Sequence, residues 1–479
     1  MSTLLTAFKN SLVLSAANVV TKIVTIFYLA YVANKLRPEQ YGLYNFALGY
    51  MALFQGFTEL GLSDLFIREI ARERSAARKY LENALSLKIG LFVLTVILVS
   101  CSLPLLRRPE EDYTVLYLAL ALLLIYSLCL TFRTVFVAFE IMEQAALGDL
   151  FERFFTFVIG LAVLWAGGGV AALMGVLVAG AAVKLWYYAR AARRIAPFGF
   201  SFDKTFAFDY LRRAFPFGAG HFVGVVYARV SIVMLALMLG YREAGLFSAA
   251  NDKIFGAASF SLIVTYAFFP TLSKTFLSAR SEAVRIYEEA VRYLYMLGLP
   301  ASVGIMLTSD RIVGLLHTSD YSATILPLQI LAPYIVLRFL SYAVMIVLTS
   351  VDRQGVRVGI ESAGCAIFVV ANFLLIRWWG VVGACVAAVA TEAVLLVALY
   401  GAGCRYFVPL PVVRLLWKPS VATVAMAGVT LILRHSNFGL QVGLAVVTYF
   451  LVLLALGELR KDWEKIFRAM PFDGMPPEG

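Results

Sequence analysis

Charge is scarce in this sequence. Only 15% of the 479 residues are Asp, Glu, Lys or Arg, whereas 61% are hydrophobic, and the mean hydropathy is +0.83. A soluble domain needs far more polar surface than this, so the composition excludes a soluble globular protein. No predicted connection exceeds about 20 residues, which leaves no room for a separate soluble domain between the apolar runs.

Cysteine is also rare, and the sequence has no recognisable metal motif. The five cysteines lie scattered in apolar segments, and their spacing matches neither a metal site nor a disulfide framework. An acidic metal-binding motif is absent as well. We therefore expect no metal, no cofactor and no enzymatic activity.

Long apolar runs are abundant instead. A helix that spans a bilayer takes about 20 residues, and the sequence contains about fourteen such runs. The first begins near Asn10 and is too long for a signal-peptide core, so we interpret it as a retained helix. The predicted fold is an all-α integral membrane protein with about 14 transmembrane helices, at 10–34, 41–62, 81–103, 113–139, 147–166, 169–190, 211–239, 243–271, 290–315, 325–350, 355–376, 380–403, 415–434 and 437–457.

Lys and Arg are unequally divided between alternate loops. One set of loops holds about 25 of them and the opposite set about seven. The positive-inside rule then predicts a multi-pass protein of the cell (inner or plasma) membrane with both termini in the cytosol. The net charge of +11 has a competing interpretation, a basic surface for nucleic acid. Because the charges are spread over every second loop, we expect no nucleic-acid partner.

An internal repeat divides the chain. Segment 36–47 resembles 239–250 through a Gly-Leu-aromatic-small polar-x-Ala core, and 168–188 echoes 380–400. Six predicted spans separate the copies, so the copies keep the same orientation, and parallel repeats imply two lobes with a site between them. Chance similarity between apolar segments is the alternative. The predicted parts are an N-terminal lobe at 1–200, a C-terminal lobe at 205–405, two extra helices at 410–460 and a cytosolic tail at 461–479.

Ionisable residues inside the apolar runs are the candidate functional residues. Such a residue costs roughly 2.5–3.5 kcal/mol on insertion scales, so it usually faces a cavity or a partner. A polar stripe on the first span, which includes Asn18 and Lys22, is expected to face protein or water. For Arg229, Asp252 and Lys253, a buried structural pair between helices is the alternative. The cavity candidates are Asn18, Lys22, Arg133, Arg229, Lys253 and Arg338, and the ion-coupling candidates are Asp252, Glu361 and Glu392.

Several short motifs together resemble one family. They are YGLY at 41–44, ELGL at 59–62, IREIAR at 67–72, GLFSAA at 245–250, PTLSK at 270–274, PLQILA at 327–332 and GVVGA at 380–384. No single motif is specific, but their order and spacing are. From about residue 12 to residue 400, the chain resembles polysaccharide (O-antigen type) flippases of the multidrug/oligosaccharidyl-lipid/polysaccharide exporter superfamily.

The resemblance implies two pseudo-symmetric six-helix lobes, two extra C-terminal helices and alternating access. It implies movement of a polyprenyl-diphosphate-linked oligosaccharide from the cytosolic to the outer leaflet, and we expect this movement to be coupled to H+ or Na+. The expected partners are this lipid-linked glycan, membrane lipid and glycan polymerase machinery, and Lys253 matches a basic position common in the family. Independently, a lipid diphosphate needs cations along its path, because unscreened anions are costly in a low-dielectric cavity. Arginine suits bidentate phosphate contacts.

Four alternatives stay open. A drug or cation antiporter of the same superfamily would favour a cavity richer in carboxylates than this one. A lipid II flippase, specialised for the cell-wall precursor, is not excluded by the sequence. A membrane glycan polymerase or glycosyltransferase usually needs a sizeable extramembrane loop or an acidic metal site, and the sequence has neither. A membrane scaffold that transports nothing is the fourth.

Overall fold

The structure is a computed structural model that describes residues 2–102, 111–196, 198–199 and 201–458. Side chains are described from residue 24 onward, apart from 111–112, 215–217, 219, 263, 266–267, 270 and 277–278. The residues in these ranges form α-helices joined by short turns and contain no strand, which confirms the predicted all-α membrane fold. The helices are α1 (Ser2–Glu59), α2 (Leu62–Arg72), α3 (Ala77–Ser102), α4 (Glu111–Ala138), α5 (Met142–Trp165), α6 (Val170–Ile195), α7 (Lys204–Met238), α8 (Tyr241–Ala258), α9 (Ser261–Ser278), α10 (Arg280–Leu307), α11 (Ser309–Leu316), α12 (Ile325–Leu331), α13 (Pro333–Ser350), α14 (Gln354–Tyr406), α15 (Val412–Ile432) and α16 (Phe438–Ala455).

Nine helical stretches of the described chain are long and apolar enough to cross a bilayer. The other predicted spans also fall on helices, but they contain interruptions. The span 243–271 is divided between α8 and α9 by a turn near Ser259, and α5 carries the charged residues Asp149, Glu152 and Arg153.

Two of the longest helices each contain a sharp backbone break. In α1, Arg37 has φ 60° and ψ 168° and is followed by Pro38. In α14, Gly380 has φ 59° and ψ −133°. Both breaks coincide with boundaries between predicted spans, so α1 and α14 each supply two of them. Proline favours the first break because it lacks an N–H donor and clashes with the preceding turn.

The contacts between the two halves of the chain run mainly through α1. Helices α1–α6 pack on one another, and α7–α14 do the same, while α1 packs along α7 and α8 and α2 packs on α7. We define the Gly42 end as the end of the bundle where the connections 34–41, 239–243 and 316–325 meet. The opposite end, where Tyr210 donates to the Leu62 carbonyl, is the Arg72 end.

The last two described helices form a hairpin that docks on α10. The Tyr449 hydroxyl donates to the Met296 carbonyl at 2.6 Å in the middle of this contact. The Glu458 carboxylate accepts from Arg292 at 3.3 Å and from Lys418 at 2.9 Å near the Arg72 end. The hairpin is therefore fastened to the second half of the chain and not to the first.

Candidate functional site

Glycines bring α1 and α7 close together. Gly49 and Gly56 lie seven residues apart, on one face of the helix that follows the break at Arg37. A Cβ placed on Gly49 would lie 3.3 Å from Val233, and one placed on Gly56 would lie 2.5 Å from the Phe222 ring. Small residues allow this approach in membrane helices. Residues on this face of α7 therefore lie at the boundary between the halves.

A tyrosine of the first half binds a carboxylate of the second. The Tyr41 hydroxyl donates to Asp252 Oδ2 at 2.5 Å, and the Tyr41 ring is 1% exposed. Asp252 lies in the middle of α8. This hydrogen bond satisfies a buried carboxylate that would otherwise be costly, and it joins the two halves near the Gly42 end.

Lys253, the next residue on α8, points to a histidine rather than to an acid. Its Nζ donates to the Ala249 carbonyl at 2.7 Å and lies 2.6 Å from His317 Nε2. A lysine ammonium has donors and no acceptor, so Nε2 must accept. The imidazole proton is then on Nδ1, which lies 3.2 Å from the Asn34 amide oxygen. The network thus assigns a neutral tautomer to His317.

Asn34 anchors this chain of hydrogen bonds on α1. Its amide nitrogen donates to the Leu316 carbonyl at 2.8 Å, and its oxygen also accepts from the Thr318 amide at 3.1 Å. His317 is buried, and it lies in a connection outside the predicted spans. Burial, together with the neighbouring Lys253 charge, lowers the pKa of His317 to about 3. His317 is therefore neutral at ordinary pH while these contacts hold.

Arg229 lies on α7, between the Gly42 end and the Arg72 end. The aliphatic part of its side chain lies at ordinary van der Waals distance from the position of a Cβ on Gly49. Its charge is close enough to act electrostatically on Asp252 and Tyr44. Among the described residues, it has no hydrogen-bond partner and no carboxylate within 4 Å. A half-buried guanidinium of this kind is available to an anion.

A cavity of about 220 Å³ opens between the halves toward the Arg72 end. Arg133 of α4 lines it from the first half, and His221 of α7 lines it from the second. Both side chains are exposed, and Arg133 makes no ion pair with any described residue. Asp64, in the first turn of α2, adds an exposed carboxylate to the wall. The cavity therefore offers a cation to a ligand that enters from this end.

Arg338 and Glu392, two of the predicted site residues, lie inside the second half. Glu392 is fully buried and accepts from Arg338 at 3.3 Å and from the Tyr227 hydroxyl at 3.0 Å. The Arg338 guanidinium also lies over the Tyr342 ring at 4.6 Å. The Arg338 charge therefore already has a carboxylate partner inside the second half.

The remaining predicted residues lie elsewhere. Glu361 pairs with Arg357 one turn away on α14, at 3.8 Å, and both side chains are about a quarter exposed. Asn18 and Lys22 belong to α1, but their side chains lie outside the described residues. A diphosphate site shared by Lys22, Arg229, Lys253 and Arg338 stays a prediction.

Comparison of sequences identifies the family. Residues 7–276, more than half of the chain, match the family described as polysaccharide biosynthesis protein. The chain belongs to this family.

Known proteins resemble this family member in sequence or in fold. Over 405 residues it is 24% identical to a protein of Haloferax volcanii named probable low-salt glycan biosynthesis flippase, covering 81% of each chain. The fold matches the lipid II flippase MurJ in an inward closed conformation with a TM-score of 0.80 at 12% identity, over 94% of this chain and 99% of that one. An inward-facing multidrug resistance transporter of the MATE family matches with a TM-score of 0.67 at 16% identity, over 80% and 94%. At these identities the structural matches establish the fold alone.

The structure also shows a charged cluster in the first half of this polysaccharide biosynthesis protein that the sequence analysis missed. Lys184 of α6 lies 2.7 Å from Asp149 and 2.8 Å from Glu152, both on α5. The Tyr126 hydroxyl donates to Glu152 at 2.5 Å. These residues line a cavity of about 660 Å³. All of these charges lie inside predicted spans, so the rule that ionisable residues in a membrane span are functional candidates could have identified them from the sequence.

A second missed pair joins α1 to α3. Lys88 contacts the Glu59 carboxylate, and their side chains are only 1% and 5% exposed. Lys88 also donates to the Ser127 carbonyl at 3.1 Å, and Ser63 donates to Glu59 at 2.7 Å. With both charges satisfied, this pair stabilises the first half and leaves no charge for a ligand.

Proposed function

We propose that this protein is a flippase that moves a polyprenyl-diphosphate-linked oligosaccharide from the cytosolic to the outer leaflet by alternating access. Membership of the polysaccharide biosynthesis family and the similarity to a glycan biosynthesis flippase support this substrate class. The observation that carries the proposal is the set of cations without acidic partners along the boundary between the halves.

Arg133, Arg229 and Lys253 form this set. Within the described part of the chain, none of the three lies within 4 Å of a carboxylate. In contrast, Lys88, Lys184 and Arg338, three intramembrane cations inside a single half, are each paired with a carboxylate, although Arg153 on α5 is not paired with any described one. A partly buried charge without an acidic partner, such as that of Arg229 or Lys253, is costly, so its presence at a boundary is explained best by an anion that visits it. A diphosphate is such an anion.

The same residues define a direction of movement. Arg133 lies at the open cavity of the Arg72 end, Arg229 lies farther along α7, and Lys253 lies beneath the contacts that close the Gly42 end. We propose that the head group enters at Arg133, passes Arg229 and leaves past Lys253. The lipid tail stays in the bilayer between the lobes.

Two lobes, at about 1–200 and 205–405, are part of this proposal. Arg37 and Gly240, which are 203 residues apart in the repeat, both have a positive φ, of 60° and 114°. The shared turn supports a common ancestry of the lobes. We further propose that the Arg72 end faces the cytosol of the cell membrane with both termini, because the basic loops lie there.

Coupling to H+ or Na+ is the finer part of the proposal. Of the three candidate carboxylates, Asp252 alone lies at the boundary between the halves, where Tyr41 holds it. Glu361 and Glu392 are each paired with an arginine of the same half. We therefore propose Asp252 as the coupling carboxylate.

An organic-cation antiporter is the second candidate. Asp64 and Asp252 lie along the same boundary and offer negative charge. The three cations outnumber them, and Asp252 is already held by Tyr41, so an anionic substrate fits the boundary better. A lipid II flippase shares the diphosphate and differs in the glycan.

Leaflet exchange in proteoliposomes tests the proposed function. Purified protein is reconstituted with a fluorescent polyprenyl-diphosphate oligosaccharide, a lipid II analogue or a cationic dye, and the fraction exposed to an external quencher is followed over time. We expect exchange of the diphosphate lipids, fastest for the oligosaccharide, and none of the matching polyprenol. Transport of the dye without exchange of either diphosphate lipid would establish the antiporter instead.

A further inference from the structure

We propose that His317 is a proton-binding site and that its protonation opens the Gly42 end. This inference deepens the proposed function, because it names the ligand that regulates which end is open, and it rests on that function for alternating access. The contacts involved are the chain from Lys253 through His317 to Asn34. His317 was not among the site residues predicted from the sequence.

Both ring nitrogens of His317 are used in the closed arrangement. Nε2 accepts from the Lys253 ammonium at 2.6 Å, and Nδ1 donates to the Asn34 amide oxygen. A protonated imidazole has two donors and no acceptor. The Lys253 contact is then lost, and two positive charges face each other at the same short distance. Because like charges repel strongly in a low-dielectric interior, the protonated form does not tolerate this arrangement.

No described carboxylate near His317 pairs with the imidazole to compensate the added charge. The titratable groups around His317 are Tyr41 on α1, Asp252 and Lys253 on α8, and Tyr321 and the exposed Asp320 in the connection before α12. The Asp252 carboxylate is held by the Tyr41 hydroxyl. No described carboxylate lies within hydrogen-bond distance of the imidazole. Separation of the groups is therefore the way to relieve the repulsion.

Separation opens the boundary because the chain of contacts crosses it. Asn34 belongs to the first half, while His317 and Lys253 belong to the second. The Tyr321 hydroxyl makes a parallel contact to the Ala33 carbonyl at 2.9 Å. When α1 withdraws from the 316–325 connection, water reaches the imidazole and hydrates the new charge. Protonation and closure of the Gly42 end thus exclude each other.

The sign and size of the effect follow from linkage. The pKa of His317 is about 3 in the closed arrangement, and a hydrated histidine has a pKa of about 6.5. Because closure lowers the pKa, the closed state is favoured fully above the ordinary value and loses ground as the pH falls below it. Between pH 8 and pH 5 the ratio of open to closed protein should rise about 30-fold.

Cysteine accessibility measures this ratio without substrate. Ala30 is buried and lines the small cavity beside Lys253 and His317. In a protein with its native cysteines replaced, the labelling rate of Ala30→Cys in nanodiscs is divided by that of Trp165→Cys, whose side chain is 82% exposed. The quotient removes the pH dependence of thiol reactivity and follows the open fraction even when that fraction is small. We expect it to rise about 30-fold from pH 8 to pH 5.

Histidine variants make the test specific. The sequence contains three histidines, His221, His317 and His435. His317→Gln should abolish the rise, whereas His221→Gln and the exposed His435→Gln should keep it. Asn34→Asp should reduce the rise, because a carboxylate beside Nδ1 favours the imidazolium in the closed arrangement and so narrows the difference in pKa between the closed and open states. A normal rise in His317→Gln, or a flat quotient in the otherwise unchanged protein, would overturn the proposal. Since no transport is measured, a protein that fails the leaflet-exchange assay can still pass this one.

Discussion

Gly42 and Gly245 occupy reciprocal positions between the halves. A Cβ placed on Gly42 would lie 1.7 Å from the Tyr241 carbonyl oxygen, and one placed on Gly245 would lie 1.9 Å from the Pro38 carbonyl oxygen. Tyr241 follows Pro38, and Gly245 follows Gly42, by the same 203 residues. Each half therefore makes the same contact to the other, which is the pattern that a twofold relation produces.

Alanine at either glycine should push α1 and α8 apart. Gly42→Ala and Gly245→Ala place a methyl group against backbone, which cannot move aside, so we expect each to destabilise the protein by about 1–3 kcal/mol. The two losses should be similar because the contacts are reciprocal. Thermal unfolding of the purified variants measures them, with Gly175→Ala as the control, because an added Cβ there would meet no atom of the surrounding structure within 4 Å. If Gly42→Ala has the same melting temperature as the control variant, the close approach of α1 and α8 at Gly42 is wrong.

Glycine at Arg37 should stabilise the protein. The backbone at Arg37, with φ 60° and ψ 168°, is strained for any residue other than glycine, and such strain costs about 1–3 kcal/mol. After the entropy of the added glycine is subtracted, Arg37→Gly should gain about 1 kcal/mol. Arg242→Gly, an exposed position within the helical turn of α8, should lose about as much. A lower melting temperature for Arg37→Gly would contradict the positive φ of the Arg37 backbone.

Glu392 and Glu361 should differ sharply when replaced. Glu392→Ala leaves the Arg338 charge buried without its partner, a loss of about 3–5 kcal/mol, while Glu361→Ala breaks a partly exposed pair that contributes about 0–1 kcal/mol. The double variant Arg338→Met, Glu392→Leu should recover much of the lost stability. Chemical unfolding of the four proteins decides between this structural role and ion coupling. Stable Glu392→Ala protein that has lost ion dependence would favour coupling.

Arg229→Ala should insert normally yet fail to export glycan. A charge-assisted contact contributes roughly 1.5–3 kcal/mol, so its loss should weaken head-group binding by about one to two orders of magnitude. Arg229→Lys should recover part of the activity, since lysine lacks the planar fork. Arg285→Ala, an exposed change on α10, is the matched control. Abundance and surface glycan are measured in the same cells, and full export by well-expressed Arg229→Ala would rule out the role.

Sided labelling tests the proposed orientation. Cysteine at Ser319, at the Gly42 end, should react with an impermeant reagent in intact cells. Cysteine at Arg193, at the Arg72 end, or added after Gly479, should react only after lysis. The opposite pattern would place the termini outside and reverse the direction of the proposed path.

Much of the fold could be predicted from the sequence because apolar length is a direct physical requirement of the bilayer. The breaks at Arg37 and Gly380 fall on predicted span boundaries, whereas no local signal divides α8 from α9 near Ser259. Periodicity gives the face of a helix and not the helix that lies opposite, which is why Arg338 was grouped with Arg229 although it pairs with Glu392.

The candidate site could be predicted only in part for a related reason. Asp252 and Lys253 are conspicuous because they are charges in an apolar helix. Asn34 and His317 lie at and beyond helix ends, where polar residues are ordinary, and only the folded chain brings them together from 283 residues apart. Lys184 was detectable by the same rule as Lys253 but did not stand out beside its two acidic partners on α5.

The glycine-lined contact of α1 with α7 has a mechanical consequence. Where side chains of two helices interdigitate, one helix can slide or tilt past the other only after many side chains change rotamer. At Gly49 and Gly56, α1 presents a surface without side chains to Val233 and Phe222. The middle of the boundary therefore packs the halves together without interlocking them. The polar contacts at the two ends of the bundle, rather than the contacts in its middle, then determine which end of the protein is closed.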